Sequence, residues 1–124
     1  MARARTAPLR RQIDPRVLPE PGDFVVVSGA HLQRLCAHRG LLHLCYAGFA
    51  ANICVPHKDC GVRAFAARGY HCILLRDCTT AVESHDTVHD LSGTRQAIRE
   101  LELDGKAATT TADAFIRACG AGRT

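Results

Sequence analysis

The sequence predicts an α/β fold, a three-layer parallel sheet with helices on both faces. Three observations point there. Short apolar runs alternate with stretches whose apolar residues recur on a helical period. The run Leu41–Ala47 is apolar almost throughout, as in a strand buried on both faces of a covered parallel sheet. Serine, asparagine, threonine and glycine stand at the junctions, where helices start and stop.

Residues 1–16 form a basic arm in which Arg3, Arg5, Arg10, Arg11 and Arg16 face a single acid, Asp14. A solvated, poorly ordered terminus is the expected outcome. A tether to nucleic acid or an anionic surface is the alternative, but no aromatics interleave with the arginines, so no nucleic-acid partner is expected. Pro15, Pro19 and Pro21 exclude a helix across Asp14–Gly22. Phe24–Val27, a phenylalanine followed by valines, reads as the first buried strand. Ser28 is placed to cap a helix over Ala30–His38 that Gly40 closes.

Leu41–Ala47 is the second strand and Gly48–Ala51 its turn. A helix then runs from Asn52 to Arg68, stopped by Gly69. Pro56 fixes the start, because proline is tolerated only in the first turn of a helix, and Asn52 is a favourable N-cap. His71–Arg76 is the third strand, and Asp77 opens the turn that follows. Ala81–Asp90 reads as a polar loop, Asp90–Leu103 as an amphipathic helix ended by Gly105, and Ala107–Thr110 as a short strand. Thr111 caps a last helix over Ala112–Cys119. Residues 17–120 thus make one domain, with a tail at 121–124.

Composition narrows the class. With 47% hydrophobic residues and no tryptophan, the core must be aliphatic. No apolar run is long enough to span a bilayer, and none forms a signal segment, so a membrane role is not expected. The seven cysteines are odd in number and lack framework spacing, which suits a reduced, cytoplasmic protein. Cys36, Cys45, Cys60, Cys72 and Cys119 sit among apolar neighbours, where cysteine behaves as a small hydrophobe.

Cys54 is different. The two helix-start cues place it in a first turn, where the partial positive charge and free N–H groups favour a thiolate and an oxyanion formed beside it. Asp77 ends the neighbouring strand. It is read either as a group facing the same crevice, to orient substrate or replace a base, or as a turn-forming aspartate. Thr79 and Thr80 share that position. Cys54, His57 and Cys60 have superficially zinc-like spacing, but on one continuous helix Cys60 points about 120° from Cys54. His85 and His89, with Glu83 and Asp86, fit a solvated loop. No metal and no cofactor are expected.

Tyr46-Ala-Gly-Phe-Ala-Ala-Asn-Ile-Cys-Val55, then Arg68-Gly-Tyr70, then Leu74-Leu-Arg-Asp77 resembles the isochorismatase-like cysteine hydrolases. Thr110-Thr-Ala-Asp-Ala-Phe115 resembles that family's last strand and helix, so the likeness runs roughly from Pro19 to Cys119. The resemblance implies a Rossmann-like, doubly wound sheet that is incomplete at the N-terminus, with the family's first strands absent. It implies that Cys54 attacks a small amide or related C–N centre through a covalent intermediate. It also implies a cis peptide at Phe49–Ala50 and an oxyanion hole from the Ala50 and Cys54 N–H groups. Phe49, Asn52 and Asp77 are the expected substrate contacts, with Tyr46 also shaping the pocket.

The family's catalytic Asp and Lys have no counterpart. Val27 runs straight into Ser28-Gly-Ala-His-Leu32 where the Lys loop belongs, and Ala51 replaces the motif threonine. Two other readings stay open. One is a non-catalytic, truncated paralogue that binds a small molecule or pairs with another chain; the other is a redox-reactive thiol. The expected partners are a small-molecule substrate and a second copy, paired through an exposed sheet edge.

Overall fold

A computed structural model describes residues 12–121. Its elements are α1 (Gly29–Arg39), β1 (His43–Phe49), α2 (Cys54–His57), α3 (Val62–Ala67), β2 (His71–Thr80), α4 (Ser92–Leu103), β3 (Ala108–Thr110) and α5 (Ala112–Ala121). The strands form one parallel sheet in the order β1-β2-β3. The chain therefore adopts the α/β class and parallel sheet that its sequence predicts.

Parallel neighbours require crossovers, and here α2 with α3 joins β1 to β2 while α4 joins β2 to β3. These crossovers share a face of the sheet. Val62 and Phe65 of α3 and Ile98 and Leu101 of α4 pack in one core with Cys72 and Leu74 of β2. Leu44 and Tyr46 of β1 and Leu32 of α1 pack against the same core. Alternation sends Cys45 to the opposite face, where α5 brings Cys119 near it. No helix among the described residues is long and apolar enough to cross a membrane.

Helix α1 begins and ends where its caps place it. The Ser28 hydroxyl accepts the His31 N–H at 3.1 Å, and Gly40 closes the helix in the left-handed region at φ +64°. Several other expectations need correction. Phe24–Val27 is not a strand: it joins no ladder among the described residues, and Phe24, Val25 and Val27 are exposed. Strand composition reports fitness for a half-buried pleated surface, and here no neighbouring strand supplies that surface. Within the stretch expected to be free of helix, Pro15–Val17 makes one 3-10 turn, with proline in its tolerated first position. Strand β2 runs through the turn expected at Asp77–Thr80. Of the basic arm, residues 1–11 lie outside the described residues, as do residues 122–124 of the tail.

The long helix expected over 52–68 is two helices. Lys58 leaves α2 with extended backbone, and α3 starts only at Val62. The break is held from several sides. Gly61 N–H donates to Lys58 O at 2.8 Å, and the Tyr46 hydroxyl donates to Cys60 O at 2.9 Å. Asp59 turns outward so that its carboxylate accepts the Gly29 N–H at 2.9 Å, a second cap on α1. Tyr46 is thus committed to this junction, and burial pushes its phenol well above the ordinary range.

Candidate active site

Beyond Phe49 the chain leaves β1 through a cis peptide bond to Ala50. Ala50 and Ala51 are buried, packed under the end of the sheet. The Ala51 N–H donates to Thr80 O at 2.8 Å, which ties the turn to the last residue of β2. The Asn52 amide makes a second tie. Its Nδ2 donates to Val82 O at 3.2 Å, and its Oδ1 accepts the Val82 N–H at 3.0 Å.

Asn52 is therefore not the cap of the following helix. Ile53 holds that position with no side-chain hydrogen bond, because the Asn52 amide is spent sideways on the neighbouring segment. The Ala50 carbonyl accepts both the Ile53 and the Val55 N–H at 3.1 Å, and these bonds turn the chain into α2.

Within α2 the residues divide cleanly. Val55 and Pro56 are buried, whereas Cys54 and His57 are exposed. Cys54 does open the helix, but the helix is a single turn, so its dipole is far smaller than that of the long helix expected. Among the described residues, neither the Ala50 N–H nor the Cys54 N–H donates a hydrogen bond. Ala50 is only 2% exposed, and a buried N–H without a partner is uncommon. Phe49, Ile53 and Val82 stand exposed around this turn and give it an apolar rim.

An isochorismatase domain model matches residues 4–113. The chain belongs to the isochorismatase family, whose activity in general is hydrolysis. No curated protein and no solved structure matches the chain significantly. For this family member, the residues placed together at the end of β1 are Phe49, Ala50, Asn52 and Cys54.

Asp77 lies elsewhere on the sheet. The β1–β2 register jumps from Tyr46 opposite Leu74 to Gly48 opposite Thr79, so residues 75–78 bulge out of the ladder. The Thr79 hydroxyl closes that bulge on Leu75 O at 2.8 Å. Asp77 accepts the Ala112 N–H at 2.8 Å, at the first residue of α5. It lines a cavity of about 540 Å³ between β2 and α4, with Arg76, Thr80, Arg95 and Arg99 also in the wall. Thr80 links that cavity to the Cys54 turn through its bond with Ala51.

Two features of this region are not found by reading along the sequence. One is the Asn52–Val82 clip, since asparagine before a helix reads as a cap. The other is Glu83, which bridges the loop to the start of α4. It accepts the Gly93 N–H at 3.1 Å and the Thr94 N–H and hydroxyl at 2.6 and 2.8 Å. The Thr87 hydroxyl, followed by these Thr94 and Gly93 donors, holds its carboxyl below the usual range. Leu91, at the helix boundary, has no side chain able to do this work.

Proposed function

We propose that the protein is a cysteine hydrolase of small amides or related C–N compounds, with the Cys54 Sγ as nucleophile. The thiolate adds to the carbonyl carbon, and the oxygen that becomes negative is received by the Ala50 and Cys54 N–H groups. The C–N bond then breaks, the amine leaves, and water hydrolyses the thioester. The observation that carries this reading is an exposed thiol beside two N–H donors that have no partner among the described residues, on a turn tied to β2. Fixed donors matter because they need no reorganisation when charge develops. Phe49, at the rim, covers an apolar part of the substrate. Asn52 acts through the clip that holds the turn, and Asp77 serves the far end of the substrate from the adjoining cavity. The free state of all seven cysteines fits a reducing cytoplasm.

The test is turnover of a panel of small amides by the protein and by Cys54→Ala. Loss of roughly 10³-fold or more is expected when the nucleophile is removed. Amide turnover that survives in Cys54→Ala would overturn the reading.

A second reading has its own observation. Among the described residues, the outer edge of β1 has no strand neighbour, and Phe24, Val25 and Val27 beside α1 are exposed. On this reading the chain is a non-catalytic paralogue that pairs through its sheet edge with another copy. It predicts a stable dimer in sedimentation and no Cys54-dependent turnover.

A further inference from the structure

We propose that Cys54 and His57 form a thiol–imidazole dyad, so that this chain carries a general base on the same helical turn as its nucleophile. The proposal rests on the hydrolase reading above and supplies the general base that reading leaves unassigned.

The geometry comes from the single turn of α2. The His57 N–H donates to Ile53 O at 3.1 Å and the Lys58 N–H to Cys54 O at 3.0 Å, so residues 54–57 are wound as helix. At about 100° per residue, positions 54 and 57 lie about 60° apart around the axis, with Cβ atoms roughly 5–6 Å apart. Burial fixes which way the pair faces: Val55 and Pro56 point inward, and Cys54 and His57 are both exposed. A helical side chain leans toward the N-terminus of its helix, which directs the side chain of His57 toward the end of the turn that begins with Cys54. Rotation about its side-chain bonds brings a ring nitrogen within the reach a general base needs.

The surrounding carboxylates are committed elsewhere. Asp59 holds the Gly29 N–H, and Glu83 holds the start of α4. The His57 ring makes no hydrogen bond among the described residues. Lys58 follows directly, but its extended backbone carries it off the helical turn. An imidazole can both take and return a proton near neutral pH, which an ammonium does poorly.

The proton balance closes. The Sγ proton passes to His57 and the thiolate forms the C–S bond, placing the electron pair of the carbonyl on oxygen at the Ala50 and Cys54 N–H groups. Collapse of this adduct breaks the C–N bond, and the departing nitrogen takes the proton from His57. Water then gives a proton to His57 as its oxygen attacks the thioester. The C–S bond breaks, and the thiolate recovers that proton. The net change is amide plus water to acid plus amine.

The test is alkylation of the full chain by iodoacetamide, followed peptide by peptide across all seven cysteines from acid to alkaline pH. Cys54 is expected to react at neutral pH about tenfold or more faster than the exposed Cys78 and Cys119. Cys36 and Cys72 are buried and burial pushes their thiols up, so they compete little, while the exposed Cys45 joins Cys78 and Cys119 as a comparator. His57→Gln should erase that advantage and leave only the alkaline rise of an ordinary thiol, while Lys58→Met keeps it. Free imidazole should restore the rate to His57→Ala, a rescue that a purely structural role would not give. Unchanged Cys54 labelling in His57→Gln overturns the dyad, as does loss of the advantage in Lys58→Met instead. The two readings fail separately. Cys54-dependent turnover with labelling indifferent to His57 leaves the hydrolase without the dyad. His57-dependent labelling with no amide turned over leaves the dyad without the hydrolase.

Discussion

Removing the Asn52 amide tests whether the clip to Val82 shapes the site or only decorates it. Asn52→Ala deletes two hydrogen bonds, at 3.2 and 3.0 Å, between the turn after β1 and the segment after β2. Both are exposed, so each belongs near the low end of the usual net contribution, and together they are worth about 1 kcal/mol. That corresponds to roughly a fivefold change in the folded-to-unfolded ratio and a fall in Tm of about 4 °C. The local effect should be larger than the global one. With the clip gone, the Ala51 N–H bond to Thr80 O is the remaining backbone tie we find between the two segments. The Val82 amide should therefore lose about tenfold or more of its hydrogen-exchange protection, and Cys54 alkylation should slow several-fold while the fold persists. Urea unfolding, amide exchange and peptide-resolved alkylation read the three effects. Wild-type stability with wild-type Val82 protection would refute the clip. Lost stability with unchanged Cys54 reactivity would refute its role in positioning the thiol.

Two further substitutions probe the neighbouring joints. A Cβ at Gly61 would lie 2.5 Å from Val55 O and 3.1 Å from Cys54 O, backbone atoms of α2 that must move. Gly61→Ala should lower stability by about 1–3 kcal/mol in urea unfolding and slow Cys54 alkylation as the turn is displaced. Glu83→Gln removes a carboxylate whose folded-state ionisation is favoured by the Thr87, Thr94 and Gly93 donors. Such a group stabilises the fold above its unfolded-state titration, and the contribution fades as pH falls through its lowered folded-state range. The Tm gap between wild type and Glu83→Gln should therefore be widest at neutral pH and close in acid; a gap constant with pH would refute the ionic origin.

Much of the fold was legible because its signals are local. Ser28 and Gly40 cap α1 through groups within a few residues of them, and Pro56 limits where a helix can begin whatever surrounds it. The same holds for Cys54 at the head of α2. What could not be read depends on partners distant in sequence. Asn52 has the composition of a cap but finds a better partner at Val82, thirty residues on. Phe24–Val27 has the composition of a strand but no neighbour to pair with among the described residues. The register jump in β2 that turns Asp77 toward α5 is a property of two strands together, which neither shows alone.

The break between α2 and α3 decides whether Cys54 can act at all. On one continuous helix, with about 100° per residue, Val62 and Phe65 would lie about 20° and 80° to one side of Val55. Pro56 would lie about 100° to the other, too wide a spread for a single face to bury. Burying Val62 and Phe65 against the sheet would then place Cys54 within about 50° of the centre of that buried face. Breaking the helix at Lys58–Gly61 frees the two segments to choose separate inward faces. α3 buries Val62 and Phe65, and α2 buries Val55 and Pro56. From the centre of that second face, Cys54 and His57 each lie about 150° away, on its two outer flanks. An exposed thiol with a histidine beside it is thus a consequence of the break. Restoring the continuous helix would turn Cys54 back into one more small apolar residue of the core.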